Sequence, residues 1–149
     1  MQTLLPDCSV RKLQPVNADI EKIYAMASQN TLFYQYHPPF VTWQSILDDM
    51  SALPLGKTIA DKFYIGFLVG AALAAVVDMI LAYPNETTGY IGFFMVDKSR
   101  QGQGIGSRIL ADIENTMRNN GMCHSRLAVD KGNPQSYSFW TKNGYAVCG

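Results

Sequence analysis

Three glycines spaced two apart, Gly102, Gly104 and Gly106, sit where an apolar run gives way to a helical pattern. They belong to residues 96–107, Val-Asp-Lys-Ser-Arg-Gln-Gly-Gln-Gly-Ile-Gly-Ser. The preceding residues, 89–96, are rich in aromatic and branched side chains and read as a strand. Beyond the glycines, Ile105, Ile109, Leu110, Ile113 and Met117 recur on one helical face. Strand, side-chain-free turn and helix N-terminus in succession leave little choice of use. Bare backbone N–H groups at the positive end of a helix form a seat for an anion, above all a phosphate. A glycine turn with a purely structural role is the other reading.

The spacing narrows the phosphate ligand. A dinucleotide fingerprint, G-x-G-x-x-G, would need its third glycine at Ser107, and the Gly-Lys-Ser/Thr ending of a P-loop is absent. The segment resembles instead the acetyl-coenzyme A loop of the GCN5-related N-acetyltransferases, the GNAT family: Gln or Arg, two residues, Gly, one residue, then Gly or Ala. Gln101-Gly102-Gln103-Gly104-Ile105-Gly106 fits at every position, and Val96 lies five residues ahead of Gln101, as is usual there. Asn133, Phe139 and Gly144-Tyr145 also match the family's motif around its last helix.

The chain has 149 residues, enough for one domain and a single substantial core. Its apolar content is 48% and its charged content 16%, as expected of a compact globular protein. Twelve basic and twelve acidic residues cancel without long blocks of one sign, which argues against nucleic acid as a partner. Cys8, Cys123 and Cys148 form neither a disulfide framework nor a zinc pattern, so three reduced, mostly buried thiols and a cytoplasmic setting are expected, with no metal. Met1-Gln-Thr-Leu-Leu-Pro lacks the basic and apolar regions of a signal peptide. Residues 63–77 are uncharged but too short for a membrane span; they contain Gly66 and Gly70 and are followed by Asp78. Two buried strands joined at Gly70 account for them, and no membrane association is expected.

Taken in order, the chain predicts a weak strand over 8–14, then a helix carrying Ile20, Ile23, Tyr24 and Ala27 with Asn17 as its cap. The aromatic stretch 30–40 ends its polar part in His37-Pro38-Pro39, which stops any helix. Thr42 caps a second helix with Trp43, Ile46, Leu47 and Met50 on its face. Strands follow over 63–69, 73–82 and 89–96. After the third helix, which ends at Gly121, come a strand over 125–129, a short helix opened by Asn133-Pro134, and a sixth strand from Tyr145 to Cys148. This order fits one α/β layer structure. Combined with the resemblance, it implies a single domain over 1–149: a mixed, mostly antiparallel twisted sheet with helices on both faces, lacking the family's last strand. The sixth strand would then leave a bare edge or pair with a second subunit, so a homodimer through the C-terminal region is expected.

The resemblance implies an N-acetyltransferase that moves an acetyl group from acetyl-CoA to a primary amine of a small molecule or peptide by direct attack. Backbone groups of Phe94, Met95 and Val96 would hold the pantetheine arm and thioester carbonyl, with an N–H placed to stabilise the oxyanion. Gln101, Gly102, Gln103, Gly104, Ile105, Gly106 and Ser107 would hold the pyrophosphate. Asn133 would lie beside the arm, or serve as a helix cap, or both. Attack needs a neutral amine, hence a base. Many relatives use a glutamate on the fourth strand, but residues 89–96 contain no carboxylate. Asp78 and Glu86 are the nearest in sequence. Asp78 interrupts an apolar run, so it is either a buried base with a raised pKa or an outward-facing or salt-bridged carboxylate. Where relatives carry a tyrosine acid this chain has Trp140, and Tyr137 one turn earlier is the candidate acid or a packing residue. Phe33, Tyr34, Tyr36, His37 and Trp43 are the acceptor-side candidates, because the first two helices wall that pocket in the family. A non-catalytic acetyl-CoA sensor is the alternative, supported by the missing carboxylate and by Trp140.

Overall fold

The computed structural model of the chain describes residues 7–148; the N-terminal residues read above for a signal pattern lie outside that range. Five strands form one sheet in chain order: β1 (Cys8–Lys12), β2 (Lys62–Val69), β3 (Ala72–Ile80), β4 (Thr88–Val96) and β5 (His124–Leu127). The first four are antiparallel to one another in succession, whereas β5 runs parallel to β4. Gly70, with φ of 62°, makes the tight β2–β3 turn that the sequence predicts.

Helices cover both faces. On one, α1 (Asn17–Ala27) and α3 (Trp43–Ser51) lay Ile20, Ile23, Met26, Ile46 and Met50 against Tyr64, Leu68, Leu73, Val76 and Met95. On the other, α4 (Ile105–Asn119) lays Ile109, Leu110, Ile113 and Met117 on Phe67, Val77 and Met79, with α5 (Pro134–Lys142) beside it. Most of these side chains lose nearly all contact with water, worth about 1.5–3 kcal/mol each for a full-sized residue. Arg11 on β1 holds Asp19 of α1 at 2.7 and 3.0 Å, fixing the first helix to the sheet edge.

Several expectations change. Residues 145–148 form no strand, so the sheet has five strands and not six. Tyr145 is held by α5 and α4 instead: its N–H donates to the Trp140 carbonyl and its hydroxyl lies 3.0 Å from Glu114 and 2.6 Å from Ser125. These contacts lie off the β5 ladder and leave the strand's outer edge unpaired among the described residues. Residues 31–36, read only as aromatic, form a one-and-a-half-turn helix α2 (Thr31–Tyr36) that ends at His37, before the two prolines. Asn17 opens α1 but does not cap it; Val16 occupies that position with no side-chain bond. Thr42 does cap α3, exchanging bonds with Ser45 in a capping box. Cys123 and Cys148 are exposed and Cys8 half-buried, because the first two lie in the turn after α4 and in the trailing segment.

Candidate active site

The parallel ladder between β4 and β5 runs only from Thr88–His124 to Ile91–Leu127. Gly92 then sits in a bulge opposite Asp78 and Met79, and residues 92–96 have no partner on the β5 side. The strands thus part at their C-terminal ends, as the resemblance implied. Two cavities open into the gap.

The first is a groove of about 360 Å³ between β4, the glycine turn and α5. Phe94, Met95 and Val96 line it, together with Gln101, Gly102, Gly104, Gly106 and Ser107. Gly102 and Gly104 have φ of 78° and 76°, left-handed values that strain any other residue, and nothing lies within 4 Å of where their Cβ atoms would be. Gly104 also stands at the N-cap of α4 with no side chain over the helix end. Gly106 serves a different need. A Cβ there would meet the Phe139 ring at 2.9 Å, so its absence lets α4 approach α5. Such a cradle, open above and lined with backbone donors, fits a diphosphate. Gln101 holds it in place. Its Nε2 donates to the Val96 carbonyl (2.9 Å) and to Asn30 Oδ1 (2.7 Å), while its Oε1 accepts from Gln135 (3.2 Å). One side chain therefore ties β4, the α1–α2 junction and α5 together.

The second cavity, about 520 Å³, lies between α2, α3 and the parted strands. Its walls include Phe33, Tyr83, Tyr90, Phe93 and Trp140, and its ionisable groups are His37, Asp49, Lys62, Asp78 and Asp130. Phe33, Phe94, Ser136 and Trp140 line both cavities, so the two meet at that point. Asp78 is 8% exposed and paired through Oδ2 to Lys62 Nζ at 2.9 Å; Oδ1 is buried without a partner. Burial raises its pKa, opposed by the hydrogen bond and charge of Lys62. A Cβ on Gly92 would come within 3.3 Å of Asp78 Oδ2. The β3 carboxylate thus reaches the space over β4 in which a side chain at position 92 would stand.

The pattern of the Acetyltransferase (GNAT) family matches residues 20–145. This chain belongs to the GNAT acetyltransferase family. No curated protein matches the chain. Among solved structures, an acetyltransferase from Thermus thermophilus superposes with a TM-score of 0.76 at 16% identity, over 97% of this chain and 90% of that one. Ard1 from Thermoplasma volcanium gives 0.69 at 22%, over 96% and 85%. The PaiA N-acetyltransferase from Thermoplasma acidophilum, in complex with coenzyme A, gives 0.70 at 18%, over 94% and 90%. At these identities the likeness concerns the fold, and it confirms a GNAT sheet with helices on both faces.

Within this GNAT fold, the expected site residues separate. Gln103 points away from the groove and bonds the Ser99 carbonyl, and Ile105 packs into the core beneath α4. Asn133 is 2% exposed and caps α5, accepting from the Gln135 and Ser136 N–H groups; it does not line the groove. Tyr137, the candidate acid, is 56% exposed and lines neither cavity; it lines a third groove beside β5 that borders the acceptor cavity along residues 127–130 and at Trp140. Helical geometry explains this: Ser136 and Trp140, four apart, face the junction, and Tyr137 is turned by about 100° from Ser136 and about 60° from Trp140. His37 and Phe33 line the acceptor cavity, but Tyr36 and Trp43 do not. Tyr34 stands behind the wall, where burial and then Asp49 push its pKa up to about 12. Glu86 is an exposed turn residue outside both cavities. Sequence reasoning missed Lys62, 3% exposed, and Asn30, 7% exposed. The only trace of Lys62 was a charge next to Asp61 at the head of an apolar run, and nothing in the sequence marked Asn30.

Proposed function

We propose that this protein transfers an acetyl group from acetyl-CoA to a primary amine. The observation that carries the reading is the junction of the two cavities. One ends on the glycine cradle, the other holds Asp78, and they meet at Phe33, Phe94, Ser136 and Trp140. Coenzyme A is bound in the PaiA structure, which has the same fold. When bound here, acetyl-CoA supplies the activated acyl carbon and takes the electrons of the broken C–S bond onto sulfur. The backbone amides of the glycine turn and the first turn of α4 hold its diphosphate. Phe94, Met95 and Val96 would border its arm along the edge of β4 that β5 leaves without a partner. Asp78 removes the ammonium proton of the acceptor, whose lone pair then forms the N–C bond. Lys62 keeps Asp78 ionised against the cost of burial. Trp140, at the junction where the sulfur would lie, cannot serve as its acid, and a thiol with an ordinary pKa of ~8.5 would leave unaided.

The cytoplasmic setting rests on three unpaired cysteines, and no described helix is long and apolar enough to cross a membrane. A homodimer through the C-terminal region rests on the free edge of β5. Calorimetry with acetyl-CoA, ATP and NAD tests the ligand, and only acetyl-CoA is expected to bind. Thiol release over an amine panel tests the reaction. Asp78→Asn is expected to lower kcat by about 10²–10⁴-fold while acetyl-CoA still binds. Tight binding with no thiol release on any amine would instead identify a sensor.

A further inference from the structure

We infer that the acceptor is a small amine carrying a second positive charge and no carboxylate; this rests on the acetyl-transfer reading above. The acceptor cavity is lined by three carboxylates, Asp49, Asp78 and Asp130, against two basic side chains, Lys62 and His37. Both basic groups are already engaged. Lys62 is buried with its Nζ 2.7 Å from the Ala52 carbonyl and 2.9 Å from Asp78. His37 Nδ1 lies 2.8 Å from Asp130 Oδ1, which closes α2 onto the loop after β5. Each basic group of the cavity is thus already set against a carboxylate of the protein itself.

Acceptor oxygens, by contrast, are in surplus. Asp78, 8% exposed, has Oδ1 buried with no partner, and Asp49 takes part in none of the three ion pairs among the described residues. Asp49 shares its surroundings with Lys62, His37, Tyr64 and Asp78, all of which interact with it electrostatically. The unpartnered Asp78 oxygen favours an ammonium where water is scarce, and Asp49, solvent-exposed, adds a second negative charge to the same lining. The walls suit the same guest, since Phe33, Phe93, Tyr90 and Trp140 contribute aromatic surface suited to a cation or a methylene chain. The reacting nitrogen must lie near the junction of the cavities, beside Asp78. The second ammonium then has Asp49 as its counter-charge. A carboxylate in that place would face Asp49 with its own sign and be rejected.

Three acceptors of one chain length provide the test: 1,5-diaminopentane, pentylamine and 5-aminopentanoate, assayed by thiol release with acetyl-CoA. The expected order of kcat/KM is diamine, then monoamine, then amino acid, with steps of roughly tenfold that shrink as salt is added. Asp49→Asn is expected to bring the diamine-to-monoamine ratio close to one, chiefly through KM, and Asp49→Glu to restore it. Calorimetry with acetyl-CoA confirms that each variant is folded. An amino acid used as well as the diamine overturns the inference, and so does a ratio indifferent to Asp49→Asn. Thiol release on peptide N-termini alone, with none of the three amines accepted, overturns it while leaving acetyl transfer intact. Failure to bind acetyl-CoA removes both.

Discussion

Asp78 engages Lys62 through one carboxylate oxygen only, and that half-paired state sets its chemistry. Burial raises its pKa and Lys62 lowers it, with burial the larger influence. Removing the lysine charge must therefore push the pKa higher still. In Lys62→Met the rising limb of the kcat/KM–pH profile is expected to move to higher pH, with the plateau reached later; an unmoved limb would remove Asp78 as the titrating base. The stability consequence has a definite sign. A carboxyl whose folded pKa lies above its unfolded value favours folding below the unfolded pKa, and that contribution is lost as pH rises through the folded value. Lys62→Met should accordingly lose less stability in acid than at neutral pH, since a protonated Asp78 no longer buries an unpaired charge. Trp140 permits a second test at this scale. It borders both cavities and packs edge-on against Phe94, Phe139 and Tyr145. Trp140→Tyr supplies a phenol where the indole stood and is expected to raise kcat by about threefold to tenfold. That is below the ~10²–10⁴-fold of full acid catalysis, because a thiol leaves tolerably by itself. No rise, with acetyl-CoA affinity unchanged, would mean that proton supply does not limit turnover.

Elements explain why the cradle keeps its shape. Gly106 lies in the first turn of α4 against Phe139 of α5 and Val96 of β4, so three elements converge on a position without a side chain. Gly106→Ala forces its methyl group into a ring 2.9 Å away. An overpacking cost of about 1–3 kcal/mol is expected, seen as a lower Tm, together with weaker acetyl-CoA binding as the groove shifts. A destabilised variant with native affinity would show that the groove does not depend on this contact. The same elements show what a sequence reveals. The β2–β3 hairpin, the glycine turn, α4 and the Asn133 cap were legible because each is a local pattern: a period, a turn residue, a capping pair. The five-stranded outcome was not. Whether residues 145–148 pair depends on Tyr145 finding Glu114 and Ser125, contacts 31 and 20 residues away in sequence. Likewise Lys62 and Asp78 meet only because the β2–β3 register sets Lys62 against Ile80, two residues from Asp78 on the same side of the sheet. Tyr137 shows the opposite failure, a residue of suitable chemistry whose helical phase turns it away from the site.

At the scale of the whole molecule, β1 and β5 are the two margins of the sheet, and they are not equivalent. Arg11 and Lys12 give β1 two neighbouring charges, a common guard against edge-to-edge pairing. The outer margin of β5 instead faces a groove of about 870 Å³ whose lining includes Val129, Tyr137 and Val147, exposed by 38%, 56% and 75%. An unpaired strand beside exposed apolar side chains favours association, and a two-fold arrangement would set β5 of one copy against the same surface of another. Sedimentation at micromolar concentration is expected to give the mass of two chains. Val147→Lys places a charge in the groove at a residue that lines neither cavity and is expected to give single chains that bind acetyl-CoA as before. A native protein sedimenting as one chain would discard the dimer. It would leave the acetyl-transfer reading standing, since that reading rests on the two cavities and not on the dimer.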